Sequence, residues 1–489
     1  MSTRIAVVLV LLLAGGGMLL FWPSGDNDDL IGELKQRKRK SRSPASLHAD
    51  SAPDFDSLAA AGKGQPLPES LTALGQPEGY WLVGSPRIET GVEIPFAPGR
   101  VPTPPAESVT FENQNPGFLG ADACKDCHQE RHADFIHTAH FRTSALASQE
   151  SIKGSFKAGK NRMSTKSPDV LFEMLRRDDD FFQRVSFHGW QFEVPFHIVT
   201  GSSKLAQTFL YWDADRLYQM NVSYLRSADQ WINSPGFIDG DAAYAREIGP
   251  RCLECHTTYV QQGELRNQFD PNSLITGISC ERCHGPGKEH VEYHRSHPDD
   301  KQSRFIAAPS QLTRQQQLDI CAQCHTGVTR FKSGAYQFRP GDELATHYHE
   351  PDDPSGNSVH TSNQLSRLLV SPCFLESEMT CTDCHNPHRN ERGNMALFSE
   401  RCIKCHEVER CGMHGTLGAQ LSENCIDCHM GNRGTDKLWL KTSEETIFPK
   451  LRDHHIRVDR EATDWFLQNN ARDSLPNGDQ DTATNDAEQ

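Results

Sequence analysis

The five-residue pattern Cys-x-x-Cys-His occurs seven times in this chain, and nothing else in the sequence constrains its fold as strongly. The copies supply Cys124, Cys127 and His128; Cys252, Cys255 and His256; Cys280, Cys283 and His284; Cys321, Cys324 and His325; Cys381, Cys384 and His385; Cys402, Cys405 and His406; and Cys425, Cys428 and His429. With 16 Cys and 23 His in 489 residues, shuffling would leave roughly 0.02 copies, so chance is excluded. Zinc ribbons take two C-x-x-C units per metal and need no His after every second Cys. A thioredoxin-like redox motif occurs once, beside a βαβ pattern. In a c-type site the two thiols become thioethers to the haem vinyl groups and the adjacent imidazole binds iron. The sequence therefore predicts seven covalently attached haem c groups.

Covalent haem attachment requires export. Residues 5–22, Ile5 to Trp22, form an apolar run behind Arg4 that reads as a signal anchor, with a cleaved signal peptide as the alternative (1–23). The expected location is the periplasm or cell envelope, tethered to the inner membrane. A basic run, Lys35 to Arg42, opens a segment rich in Pro, Gly and Ala, and residues 24–117 are expected to form a tether. The net charge of -15 argues against nucleic-acid binding.

Residues 118–459 carry all the motifs and form the expected haem domain, followed by a polar acidic tail over 460–489. Its fold is expected to be mainly α with extensive loops, porphyrin faces standing in for a conventional core. Thr313 should cap a helix carrying Leu318 and Ile320 into Cys321, and Ser167-Pro168-Asp169 should start another with Val170, Leu171, Met174 and Leu175 on one face. No cysteine lies between Cys127 and Cys252. There, Phe209 to Tyr224 reads as a β-hairpin, and a small β-subdomain is expected near residues 185–225.

The stretches Gly120 to Arg142, Cys280 to His290 (C-x-x-C-H-G-P-G-x-x-H) and Cys381 to His388 (C-x-x-C-H-N-P-H) resemble the multihaem cytochrome c family that includes the tetrahaem cytochrome of nitrifying bacteria, hydroxylamine oxidoreductase and the octahaem reductases. The resemblance covers about residues 118 to 456 and specifies haem packing better than substrate.

Sixteen histidines lie outside the motifs, enough to cap every iron on its distal face. The resemblance implies His140, His290, His388, His414 and His454 as distal ligands, with His137 a rival to His140. The last two positions fall to His360, His347 and His349, with His360 placed first. His188, His197, His294 and His297 are expected away from iron. Cys373 and Cys411 lie outside any motif, either joined in a disulfide or free.

Irons capped on both faces pass electrons, whereas an open face admits a small molecule. The expected function is therefore an electron carrier with redox protein partners. The alternative is an oxidoreductase acting on a small nitrogen or sulfur compound at one five-coordinate haem, a substrate that enters only if one haem is open. No C-x-x-C-K motif appears, which disfavours that alternative.

Overall fold

Within Val170–Leu175, Phe181–Phe187 and Trp190–Pro195 every second side chain is buried, a period that a sheet satisfies and a helix does not. The computed structural model describes residues 65–75, 79–85, 91–351, 358–434, 440–441 and 446–473. The N-terminal span and the basic run lie outside them; among the described residues no helix is long and apolar enough to cross a membrane. Every described element belongs to one unit of the chain, Pro53–Gly84 with Thr90–Gln489.

The expectation of a mainly α fold is overturned. Among the described residues the strands form six sheets, and the β region is far larger than a hairpin subdomain. In chain order its strands are β1 (Thr72–Gly75), β2 (Trp81–Gly84), β3 (Val92–Ile94), β4 (Ser144–Leu146), β5 (Arg162–Ser164), β6 (Val170–Arg177), β7 (Asp180–Phe187), β8 (Trp190–Pro195), β9 (Ile198–Thr200), β10 (Ala206–Asp213), β11 (Arg216–Gln219), β12 (Val222–Leu225), β13 (Gln230–Asn233) and β14 (Ala242–Ala243).

Strands β5-β6-β7-β8 form one antiparallel sheet, and β13-β12-β10-β9-β4 form another in which β11 also pairs with β10. The helix expected after Ser167-Pro168-Asp169 is strand β6. Positions 170 and 174 share a face in either period, because a spacing of four is even as well as close to one helical turn. Leu171 and Leu175 instead turn to the less buried face, while Phe172 joins Val170 and Met174 inside. The hairpin between β7 and β8 turns on His188 and Gly189, both at positive φ (46° and 85°), which places His188 in a tight turn.

The two sheets meet through aromatic side chains. Phe196 lies 4.7 Å from Phe209, Phe156 contacts both Phe181 and Trp231, and Phe192 packs edge-on to Tyr244. Buried Gln183 ties them, its amide donating to Val222 O and accepting from Tyr244 Oη. The Phe209-to-Tyr224 hairpin forms with Asp213 opposite Arg216, but breaks at Met220 and Asn221 so that β12 returns to the start of β10.

Part of the expected tether is folded onto this region. Strands β1-β2-β3 form a sheet closed by β14, which runs parallel to β3, and Val92, Ile94 and Phe96 are buried. Arg100 grips Asp213 with two hydrogen bonds of 2.9 and 2.6 Å.

The motif-bearing half carries its Cys-x-x-Cys-His motifs on short helices and loops, beside three two-stranded sheets. Helix Arg314–His325 begins at Thr313 with a capping box to Gln316 and places Leu318 and Ile320 inside. Helices Pro250–Glu254, Glu281–His284, Met395–Ile403 and Ile426–His429 lead into or contain other motifs. At the C-terminus, helix Arg460–Asp473 occupies the start of the expected tail and buries Phe466.

Candidate haem centres

In all seven motifs the pattern is local, so chain geometry alone presents the two thiols and the imidazole together. In five of them, the first included, a backbone N–H of the His or second Cys bonds back to the first Cys carbonyl, closing one turn. The distal side cannot be built locally, because a second imidazole must arrive from elsewhere.

Three such arrivals are visible. The rings of His140 and His325 have centroids 6.1 Å apart, those of His284 and His388 6.1 Å at 23°, and those of His385 and His454 6.1 Å at 23°. Each pair joins one motif His to one expected from sequence as a distal ligand. A metal–imidazole nitrogen bond is about 2 Å, and the ring centre lies about 1 Å beyond the nitrogen, so one iron between two imidazoles requires about 6 Å. The pairs fit a haem iron.

Hydrogen bonds at the other ring nitrogen point the same way. Nδ1 lies within bonding distance of a backbone carbonyl in His284 (Ala307, 2.9 Å), His325 (Thr361, 2.8 Å) and His429 (Arg457, 2.9 Å), and also in His290 (Arg304, 2.8 Å). A carbonyl partner fixes the proton on Nδ1 and frees Nε2 for a metal. His256 Nδ1 meets Thr143 Oγ1 at 3.0 Å. His388 differs, with Nδ1 in a long 3.3 Å contact to Arg131. Beside His284 a cleft of about 480 Å³ is lined by Gly285, Pro286, Phe305, Ala307 and Arg339.

His360 is placed differently. Its Nδ1 accepts from the Ser362 N–H at 3.2 Å, which leaves the proton on Nε2. The same holds for His137, whose Nδ1 accepts from Arg142 at 2.7 Å. His347 has both nitrogens engaged, by Ser333 and Asp342. His414 is exposed at the head of helix His414–Leu417, and among the described residues no ring contact joins it to a motif His. His290 lies 4.6 Å, ring to ring, from His294, whose Nε2 is buried without a hydrogen-bond partner. Sequence reasoning set His294 aside.

Electrostatics tie the centres together. Burial, then His325 and His385, lower His140 to about 4; burial, then chiefly His385, lowers His454 to about 4. Burial, then His290, lowers His128. Buried Asp453 carries the neighbouring His454: burial alone would raise its carboxyl, but hydrogen bonds from Arg367, the His455 N–H and Arg457 hold it at about 2. The Arg367 grip is bidentate, 2.8 Å on each oxygen.

Thiols of different motifs lie against one another: Cys124 with Cys280, Cys255 with Cys324, Cys321 with Cys381, and Cys402 with Cys425. Arg401, in the helix entering the sixth motif, donates to Cys384 O at 2.6 Å. Cys373 and Cys411 are both unpaired, so the disulfide is not formed.

Seven attachment motifs, set close together and faced by further imidazoles, define a multihaem c-type cytochrome. Known proteins agree at that level. Residues 224–285, which include the second and third motifs, match the family described as cytochrome c554 and c-prime. The multiheme cytochrome MtrA of Shewanella baltica (strain OS185) is 27% identical over 195 residues, 36% of this chain and 56% of that protein, so the chain spans about half the length of this curated relative. Two solved structures are similar: the outer cell wall cytochrome OcwA (16% identity, TM-score 0.43, 70% of this chain and 79% of that one) and an undecaheme cytochrome from the S-layer of Carboxydothermus ferrireducens (15%, TM-score 0.33, 75% and 62%). At this level the chain is similar to multihaem c-type cytochromes.

Proposed function

We propose that the protein is an exported heptahaem electron carrier whose haems are mostly held between two histidines. The three ring pairs at 6.1 Å carry this reading, since an iron filled on both faces has no position for substrate. His325, His284 and His385 are proximal ligands, with His140, His388 and His454 opposite them. His128, His256, His406 and His429 are the other proximal ligands, with His290 the distal candidate nearest the first motif. The wider resemblance of residues 118–456 to the nitrifier tetrahaem cytochrome belongs to this reading and is supported by the match over 224–285.

The thiol neighbours favour a wire. Contacts link motif 1 to 3, 2 to 4, 4 to 5 and 6 to 7, and Arg401 links 5 to 6, so each haem has a near neighbour. Covalent attachment outside the cytoplasm accounts for the apolar run Ile5 to Trp22 as an export signal. Redox proteins at either end are the partners.

Electron paramagnetic resonance of the oxidised protein tests the reading. Low-spin ferric signals alone, unmoved by cyanide or nitrite, are expected; a high-spin signal that shifts on adding either ligand would favour an enzyme instead.

A further inference from the structure

Glu254, Arg282 and Gln323 occupy the same place, the third of five, in the second, third and fourth motifs, and they meet inside the protein. Glu254 is fully buried, and Arg282 and Gln323 are each 4% exposed. Arg282 Nη2 donates to Gln323 Oε1 at 2.7 Å and lies 3.9 Å from Glu254 Oε1. Gln323 Nε2 donates back to Arg282 O at 3.1 Å. Glu254 accepts from Arg251 Nη1 at 2.7 Å, from the Tyr336 N–H at 2.8 Å and from Tyr348 Oη at 2.9 Å. Arg251 also donates to Gln323 O and to Thr329. Every group around the Glu254 carboxylate is a donor, the surroundings an anion needs.

A buried ion pair is weak support for stability, since desolvating both charges offsets their attraction. Something other than stability must favour a carboxylate and a guanidinium at two of these three equivalent positions, which haem-attaching cysteines flank. Charges this deep are screened little by solvent or salt. A carboxylate near a haem favours the ferric state, whose net charge is more positive, and a guanidinium favours the ferrous state.

We propose that the Glu254–Arg282 pair sets the relative reduction potentials of the haems attached at motifs 2, 3 and 4, Glu254 lowering and Arg282 raising them. The pair thereby decides which haem of this three-way junction holds an electron first. Gln323 positions Arg282. The inference rests on the haem-attachment reading above.

The test is a spectroelectrochemical titration of the full-length, haem-loaded protein and of E254Q, R282Q and R282K, with haem content measured by intact mass. E254Q is expected to move at least one haem to higher potential, R282Q at least one to lower potential, and R282K to titrate like the parent, all at full haem content. A packing defect that merely admits water would move both charge-removing variants the same way, and that result would overturn the proposal; so would an unmoved curve in E254Q. If R282Q incorporates haem incompletely, E254Q and R282K decide, since the first preserves the shape and the second the charge of the residue replaced. A parent protein without seven haems would fail the carrier reading instead.

Discussion

The imidazole rings of His385 and His454 lie 6.1 Å apart and within 23° of parallel, although one belongs to the fifth motif and the other to the far end of the folded chain. One iron between them would satisfy both. Replacing His454 by Ala is expected to convert one low-spin haem to high-spin, and His140→Ala and His388→Ala should do likewise at two other irons. His360→Ala and His137→Ala should leave every haem low-spin. Spin counting by electron paramagnetic resonance checks all five; a low-spin His454→Ala protein would remove that residue from the iron.

His454 is delivered by its neighbour. Asp453, fully buried, is clasped by Arg367 and Arg457, and Ser371 holds the next backbone groups at His454 O and Ile456 N. Asp453→Ala leaves two guanidinium groups facing each other with no carboxylate between them. Removing one partner of a buried ion pair costs about 3–5 kcal/mol. Denaturant unfolding should show that loss, together with a high-spin fraction as His454 drifts from iron; a stable, wholly low-spin variant would show that Asp453 does not position it.

Legibility followed the range of the interactions. Cys-x-x-Cys-His is a covalent instruction written in five adjacent residues, and the Thr313 cap needs only Gln316, so both were readable. The distal partners were less so: His140 could be nominated, but its meeting with His325 rather than with the first motif depends on how distant helices pack. The β region was underestimated because Val170 and Met174 satisfy helical and strand periods alike, and because β1 to β3 lie in a stretch whose Pro and Gly content resembled a linker. Glu254, Arg282 and Gln323 fill the variable positions of their motifs, where sequence sets no expectation, and only the fold brings them together.

The β region has an aromatic interior of its own. Phe209 is fully buried between Phe196 and Trp231, at 4.7 and 5.7 Å. Phe209→Ala should cost about 3–5 kcal/mol, the range for large-to-small changes in a packed core. Its effect should fall on strand-region amide exchange while the haem spectrum stays that of the parent; a change in haem spin state would show that this region does more than pack.

His197 gives the β region a pH dependence. Its Nδ1 accepts from the Trp212 N–H at 2.9 Å, and burial lowers its pKa from 6.5 to about 4 in the folded protein. Between those values the unfolded chain takes up a proton that the folded chain refuses, because a proton on Nδ1 would oppose another donor in a dry site. The stabilisation is therefore complete above about pH 6.5 and declines as pH falls, reaching its floor below about pH 4. His197→Gln retains an acceptor but does not titrate, so its stability should be flatter across this window. Amide exchange of strands β9 and β10 measured from pH 7.5 to pH 4 distinguishes the two: parallel profiles for parent and variant would mean that His197 does not govern the loss.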